Sequence, residues 1–409
     1  MNYNTCTLDN GMRVVHLPSA SPVVYCGIAV AAGTRHEQQG EEGLAHFCEH
    51  LTFKGTGRRS AVKIINELEG VGGELNAFTN KEDTVFYCAI LRDYVRRAVD
   101  VLCDIVFHSV YPQAEVEKER EVVCDEIESY EDSPAELIFD DIENLLFEGH
   151  PLGHNILGTE ERVRGYDSCH AHSFTQRHYR PDRCVFFASG DVDFGRLVKW
   201  LAADGMPSAV PSAAVTSAAK DARPSIQPST VVRNRNTHQA HVVVAAPAFA
   251  ADDPRRWSLY LLNNILGGPG MNSRLNLSLR EKRGLVYSVE SSMVVYSDTG
   301  IWTTYFGCDP DDVDRCRKLV GRELDKLVQK PITEKQIQAA KQQLKGQLAI
   351  SADNREHFAL DFAKNYLHTG KLRDINDVMA NISCLTPADL QATAQHLFNP
   401  QNITTLIYK

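Results

Sequence analysis

The chain has 409 residues, of which 43% are hydrophobic and 23% charged, a composition typical of a globular protein with two or more domains. Its formal net charge of −10, with no basic cluster to offset it, argues against a nucleic-acid-binding protein. No run of about 18 apolar residues occurs, so no membrane span is expected.

The N-terminus and the cysteines predict where the protein works. Residues Thr5–Leu8 and Met12–His16 read as two strands around a tight turn at Asp9–Gly11, which leaves neither a basic nor an apolar segment of an export signal. The 11 cysteines are odd in number and show no C-x-x-C spacing, which favours free thiols in a reducing compartment. Both patterns predict a cytoplasmic protein.

The first half of the chain reads as mixed strands and helices. In chain order, hydrophobic periodicity predicts a strand, a helix, two strands and two helices, at Val23–Ala31, Ala61–Leu68, Glu74–Thr79, Asp83–Leu91, Val95–Phe107 and Glu115–Tyr130. An Ala-, Ser- and Pro-rich stretch at 206–230 has the composition of a linker. It separates a predicted N-terminal domain, 1–205, from a C-terminal domain, 231–409.

The second half repeats this layout. A strand, a helix, two strands and a helix are predicted at His241–Ala246, Trp257–Leu266, Val286–Val295, Gly300–Phe306 and Glu334–Ala349. Similar element orders on both sides of the linker predict a duplicated α+β unit.

The run HFCEH at residues 46–50 is the strongest functional signal. On a helix, His46 and His50 are four residues apart and project from one face, where two imidazoles can bind one metal ion. Glu49 points the same way. The run is the inverted form of the zinc-protease motif in which a glutamate acts as general base.

Two histidines leave a catalytic zinc site one protein ligand short. A carboxylate from another helix would serve, and Glu115–Tyr130 supplies many, although acids in such a run also form an ordinary solvated helix face. Cys48 and Cys124 are alternative soft ligands, but neither shares the face of the two histidines.

Several segments together resemble the inverzincin peptidases of the pitrilysin and mitochondrial processing peptidase family, M16, in its bacterial two-domain form. Residues 43–56, GLAHFCEHLTFKGT, resemble the family motif G-x-A-H-F-x-E-H-x-x-F-K-G-T. Further matches are the second-helix motif, the substrate strand, a glycine-rich segment and a C-terminal Arg/Tyr signature, at 119–134, 72–79, 149–159 and 273–288.

The resemblance assigns roles to individual residues. It implies that Glu126 is the third zinc ligand and that Glu119, which is not itself a ligand, orients the site. Arg280 and Tyr287 would hold the substrate and stabilise the tetrahedral intermediate. The residues of the substrate strand would pair with an extended peptide; these are Asn76, Ala77, Phe78 and Thr79.

The same resemblance implies the architecture. Each chain is expected to carry two homologous α/β-roll domains, each an antiparallel sheet with helices on one face, and to bind one Zn²⁺. Two chains would close into a clamshell around a chamber, with the Arg280–Tyr287 pair of one chain completing the zinc site of the other. Because this chain carries both sets of residues, a homodimer is the expected assembly.

Three functional classes follow from these observations. The first is a zinc endopeptidase that degrades unfolded peptides or processes one precursor. The second is a non-catalytic structural subunit, and the intact site residues argue against it. The third is a binding module that keeps zinc for stability alone, although Glu49 argues against it because a structural zinc needs no base.

Two other clusters carry weaker signals. His170 and His172 flank a single alanine, a spacing that favours surface histidines over a metal site. The run Gly267–Gly270 lacks the Gly-Lys-Ser/Thr that completes a phosphate loop, so it predicts a flexible turn before the Arg/Tyr segment.

Overall fold

The computed structural model describes residues 1–203, 206–207 and 228–409. The predicted linker, 206–230, lies largely outside the described residues. The chain forms two compact units. The first comprises Met1–Glu128, the described part of His154–Ala219, and Ser351–Asp374. The second comprises Ser129–Gly153, the described part of Lys220–Ile350, and Ile375–Lys409.

The first unit is built on a six-stranded sheet in the order β1-β2-β6-β3-β5-β4. Its strands are β1 (Asn4–Thr7), β2 (Arg13–Pro18), β3 (Val23–Val30), β4 (Glu74–Thr79), β5 (Thr84–Leu91) and β6 (Cys184–Gly190). Among the described residues, strand β4 pairs only with β5, so it is an edge strand. Strands β2 and β6 run parallel, and the other neighbours are antiparallel.

The second unit has a five-stranded sheet in the order β7-β11-β8-β10-β9. Its strands are β7 (Thr230–Arg233), β8 (Ala240–Ala248), β9 (Val286–Val295), β10 (Gly300–Cys308) and β11 (Thr404–Tyr408). Here β7 and β11 are parallel and the other pairs antiparallel. Strand for strand, this repeats the β2-β6-β3-β5-β4 arrangement of the first unit, as the predicted duplication requires.

Helices surround both sheets. Those in the first half of the chain are α1 (Leu44–Thr52), α2 (Ala61–Glu69), α3 (Val95–His108), α4 (Gln113–Glu131), α5 (Pro134–Leu146), α6 (Glu160–Gly165), α7 (Ser168–His178) and α8 (Phe194–Ala203). Those in the second half are α9 (Arg256–Gly267), α10 (Val313–Gln329), α11 (Glu334–Ala352), α12 (Arg355–Thr369), α13 (Ile375–Cys384) and α14 (Pro387–Leu397). None of these described helices is both long and apolar enough to cross a bilayer.

Side chains of successive strand residues point to opposite faces of the first sheet, and both faces are buried. Val14, Cys26 and Phe86 belong to the core formed with α1, α3 and α7. Their neighbours on the other face pack against apolar residues of α12. In the second unit, α5 covers the corresponding face of the sheet.

Two details of the expected fold are therefore corrected. Each sheet is mixed, with one parallel pair, and helices lie on both faces of each sheet. The second face is covered by a helix from the other half of the sequence: α5 belongs to the second unit and α12 to the first. The predicted division at 1–205 and 231–409 thus separates the strands of the two sheets. It does not separate these two helices in the same way, because α5 precedes the division and packs in the second unit, and α12 follows it and packs in the first.

Candidate metal centre

Helix α1 begins at a position that only glycine fits easily. Gly43 has φ +90°, and a Cβ there would lie 2.5 Å from the carbonyl oxygen of Leu157. The buried Glu37 carboxylate accepts hydrogen bonds from the backbone N–H groups of Gly43, at 3.1 Å, and Ala45, at 2.7 Å. His154 lies 2.8 Å from the same carboxylate. These contacts fix the start of the helix that carries the HFCEH motif.

The structure brings His46, His50 and Glu126 together. The two imidazole rings have centroids 4.7 Å apart. From α4, Oε2 of Glu126 lies 3.8 Å from Nε2 of His46 and 3.4 Å from Nε2 of His50. One ligand atom from each residue lies within 4.8 Å of the other two, and no other such group of three occurs among the described residues. Cys48 and Cys124 are not part of it.

A second acid, Glu119, contacts one of the histidines on the side of its ring away from the other ligands. Oε2 of Glu119 lies 3.2 Å from Nδ1 of His50, and its other oxygen lies 2.6 Å from Nζ of Lys54. The Nδ1 contact leaves Nε2 of His50 facing His46 and Glu126. A carboxylate that holds the far nitrogen of a ligating histidine is the usual support of a zinc site.

The donor set suits a zinc ion. Two imidazoles and one carboxylate are a common set of protein ligands for catalytic zinc. Burial and the neighbouring His50 lower the pKa of His46 to about 4, so at neutral pH this imidazole is unprotonated. Although burial opposes it, hydrogen bonding to Glu119 and Glu126 raises the pKa of His50 to about 9.

Glu49 lies beside these ligands and is 8% exposed. Oε2 of Glu49 accepts a hydrogen bond of 2.5 Å from the hydroxyl of Thr79. Burial raises the pKa of the Glu49 carboxyl, and the Thr79 hydrogen bond opposes that effect. A partly dehydrated carboxylate of this kind is a stronger proton acceptor than one in water.

The strand predicted to bind substrate is the edge strand β4. Its outer edge has no partner strand among the described residues. Asn76 and Ala77 lie within it, and Oδ1 of Asn76 accepts the backbone N–H of Ala77 at 2.9 Å. The ring of Phe78 lies 5.5 Å from Nζ of Lys364 in α12. The hydroxyl of Thr79, the last residue of the strand, points to Glu49.

Arg280 and Tyr287 belong to the second unit, whereas the histidines and Glu126 belong to the first. Arg280 lies in a π-helical segment, Asn276–Glu281, and Tyr287 is the second residue of β9. Both side chains are exposed, and Tyr287 is 84% exposed. Of the weaker histidine signals, His170 is exposed and lies 2.7 Å from Asp167, outside the metal group.

Sequence reasoning missed two contacts of the site. Lys54 was part of the matched motif, but its ion pair with Glu119 was not predicted. The Thr79–Glu49 hydrogen bond was also missed. Both contacts join residues on separate segments of the chain, so no local pattern predicts them. The sequence shows only that Lys54 and Thr79 each lie within one of the matched motifs.

Family models and relatives match most of the chain. Residues 13–160 match the family model described as insulinase, peptidase family M16, and residues 170–344 match the peptidase M16 inactive domain. An uncharacterized zinc protease of Streptomyces coelicolor is 35% identical over 95% of this chain and 86% of its own length. The uncharacterized zinc protease YmxG of Bacillus subtilis is 31% identical over 98% of this chain and 97% of its own length.

Solved structures share the fold. A protease from Helicobacter pylori superposes with a TM-score of 0.93 at 22% identity, covering 100% of this chain and 99% of its own. A peptidase M16 inactive domain structure from Pseudomonas fluorescens gives 0.90 at 19% identity, covering 100% of this chain and 98% of its own. From the matched models and the identity to its relatives, the chain belongs to peptidase family M16.

Proposed function

We propose that this protein is a zinc-dependent endopeptidase that cleaves unfolded peptides or processes a precursor. The observation that carries the proposal is the placement of Glu49, a buried carboxylate, beside a group of two histidines and one glutamate suited to zinc. Its membership of a family whose relatives are named zinc proteases supports the same reaction class.

His46, His50 and Glu126 would hold one zinc ion per chain. When bound, zinc supplies a Lewis acid that polarises the scissile carbonyl and makes a nearby water molecule more acidic. Glu119 keeps His50 turned towards the ligand group through the 3.2 Å contact to Nδ1. Lys54 offsets the negative charge of Glu119 at 2.6 Å.

Glu49 acts as the general base and then as the general acid. It accepts a proton from the attacking water and passes it to the nitrogen of the leaving amine. Its burial favours the uptake of the proton, because a dehydrated carboxylate gains more from becoming neutral than an exposed one.

The edge strand β4 would bind the peptide. Because its outer edge has no partner strand among the described residues, its backbone can pair with an extended chain, which gives affinity with little dependence on side chains. A folded protein offers few extended segments of this kind, which favours unfolded peptides as substrates.

Arg280 and Tyr287 would donate hydrogen bonds to the oxyanion of the tetrahedral intermediate. We propose that they come from the second chain of a homodimer that encloses a chamber, so that each zinc site is completed in trans. The exposure of both side chains leaves them free for such contacts.

Incubation of the zinc-loaded protein with a mixed peptide library, with products read by mass spectrometry, tests the proposal. Internal cleavages that disappear in the His46→Ala variant are expected. A zinc-loaded protein that leaves every peptide intact would contradict it and would favour the alternative of a non-catalytic structural or partner subunit.

A further inference from the structure

Thr79 is the last residue of β4, the strand proposed to bind substrate through its backbone, and its side chain faces the interior. The residue is 8% exposed. Its hydroxyl lies 2.5 Å from Oε2 of Glu49 and 3.4 Å from the hydroxyl of Thr84. Both hydroxyls are therefore out of reach of a peptide on the outer edge of β4.

The direction of these hydrogen bonds follows from the partners. The Thr84 hydroxyl donates its single proton to the backbone carbonyl of Ala32 at 2.8 Å, so it has no proton left to donate to Thr79. The Glu49 carboxylate can only accept when it is ionised. Thr79 therefore donates its single proton to Glu49, and the hydrogen bond is charge-assisted, which makes it short and strong.

The residues after Thr79 are held firmly. In the turn between β4 and β5, the backbone N–H of Asn80 donates to the carbonyl of Asp83 at 2.7 Å, and its side-chain amide donates to the Asp83 carboxylate at 2.8 Å. The other carboxylate oxygen of Asp83 lies 2.8 Å from Nε2 of His368 in α12. Thr79 is thus anchored to the sheet and to a helix that packs on its second face.

We infer that Thr79 is a positioning residue for the proposed general base. Its hydroxyl fixes the Glu49 carboxylate in one orientation, with Oε2 occupied and Oε1 left to exchange the proton. A flexible glutamate populates several rotamers, and some of them cannot exchange the proton. A carboxylate that is fixed in the reactive orientation avoids this loss. The inference rests on the proposed peptidase function.

Three variants separate this role from ordinary packing. Thr79→Val keeps the shape and removes the hydroxyl, whereas Thr79→Ser keeps the hydroxyl. Thr175→Val is the matched control, because Thr175 is also 8% exposed in the same unit and donates to backbone carbonyls of its own helix rather than to a carboxylate. Zinc content and thermal unfolding are measured for all three.

Kinetics give the first readout. We expect kcat of Thr79→Val to fall about 10- to 100-fold, the loss typical of a misplaced catalytic group, with KM and zinc content close to wild type. Thr79→Ser and Thr175→Val should keep most of kcat. A Thr79→Val enzyme with kcat within about twofold of wild type would overturn the inference while leaving the peptidase proposal intact.

Crystal structures of the zinc-loaded proteins give a second readout that does not depend on activity. We expect the Glu49 carboxylate in one orientation in wild type and Thr79→Ser, and displaced or in several orientations in Thr79→Val. An unchanged Glu49 in Thr79→Val would overturn the positioning role. Displacement in a protein that cleaves no peptide would instead refute the peptidase function and uphold the contact.

Discussion

Oε2 of Glu119 lies 3.2 Å from Nδ1 of His50, on the side of the ring opposite the candidate zinc ligands. This contact fixes which ring nitrogen is available for a metal. The lysine at 2.6 Å from the other oxygen keeps the carboxylate charged although it is buried, and the pKa of Glu119 is lowered by His50 and Lys54 against the effect of burial.

Glu119→Gln should therefore weaken zinc binding. The neutral amide cannot replace the negative charge that Glu119 places beside the His50 ring. Loss of such a supporting carboxylate typically lowers metal affinity about 10- to 100-fold. Competition with a chelator measures the change. Glu117→Gln, an exposed position on the same helix, is the control and should bind zinc as wild type does. Equal affinities in the two variants would exclude the supporting role.

Gly43→Ala should destabilise the first unit. The added Cβ would lie 2.5 Å from the Leu157 carbonyl, at a positive φ that costs a side-chain-bearing residue about 1–3 kcal/mol before any clash is counted. Urea unfolding measures the loss. Gly165→Ala is the control, because a Cβ there meets nothing within 4 Å, and its stability should stay the same or rise slightly. Similar losses at both positions would contradict this explanation of the helix start.

Asp83 predicts a specific pH dependence of stability. Burial raises its pKa, but the hydrogen bond and charge of His368 outweigh burial and hold the pKa below the usual value. Its stabilising contribution is thus complete above the unfolded-state pKa of about 3.9 and disappears as the pH falls through the lower folded-state value.

Asp83→Asn should accordingly lower the unfolding free energy at pH 7 by about 1–3 kcal/mol, with a difference from wild type that shrinks as the pH falls below about 4. Denaturant unfolding over a pH series measures both effects. Asp93→Asn, at an exposed position, should stay close to wild type throughout. A difference between wild type and Asp83→Asn that is constant with pH would refute the role of this ion pair.

The proposed homodimer predicts complementation between inactive chains. A mixture of His46→Ala and Arg280→Ala chains should regain about a quarter of wild-type activity, because about half of the dimers are mixed and each has one complete site of two. Each variant alone should stay inactive. Specific activity of the wild type should also fall on dilution below the dimer dissociation constant. Failure of both effects would rule out a site completed in trans.

Local patterns in the sequence predicted the elements well. The predicted strands Val286–Val295 and Glu74–Thr79 match β9 and β4 residue for residue. The i, i+4 spacing of His46 and His50 placed both rings on one helix face, as the structure has them. These features depend only on helix and strand geometry, which neighbouring residues determine.

Long-range placement was not predictable in the same way. Helices α5 and α12 were not among the predicted elements, and no local pattern shows that each buries one face against the sheet formed by the other half of the chain. The same holds for Thr79, whose role depends on a contact with a helix 30 residues earlier. Glu126 could be singled out among the acids of α4 only through the family resemblance.

The central claim is that Glu49 is the base of a zinc peptidase, and Glu49→Gln tests it most directly. Metal content and peptide turnover are measured on the same zinc-loaded preparation. The variant should bind one zinc per chain, as wild type does, and its kcat should fall by about 10²- to 10⁴-fold, the usual contribution of a general base. Full turnover in a Glu49→Gln protein with its zinc bound would contradict the account.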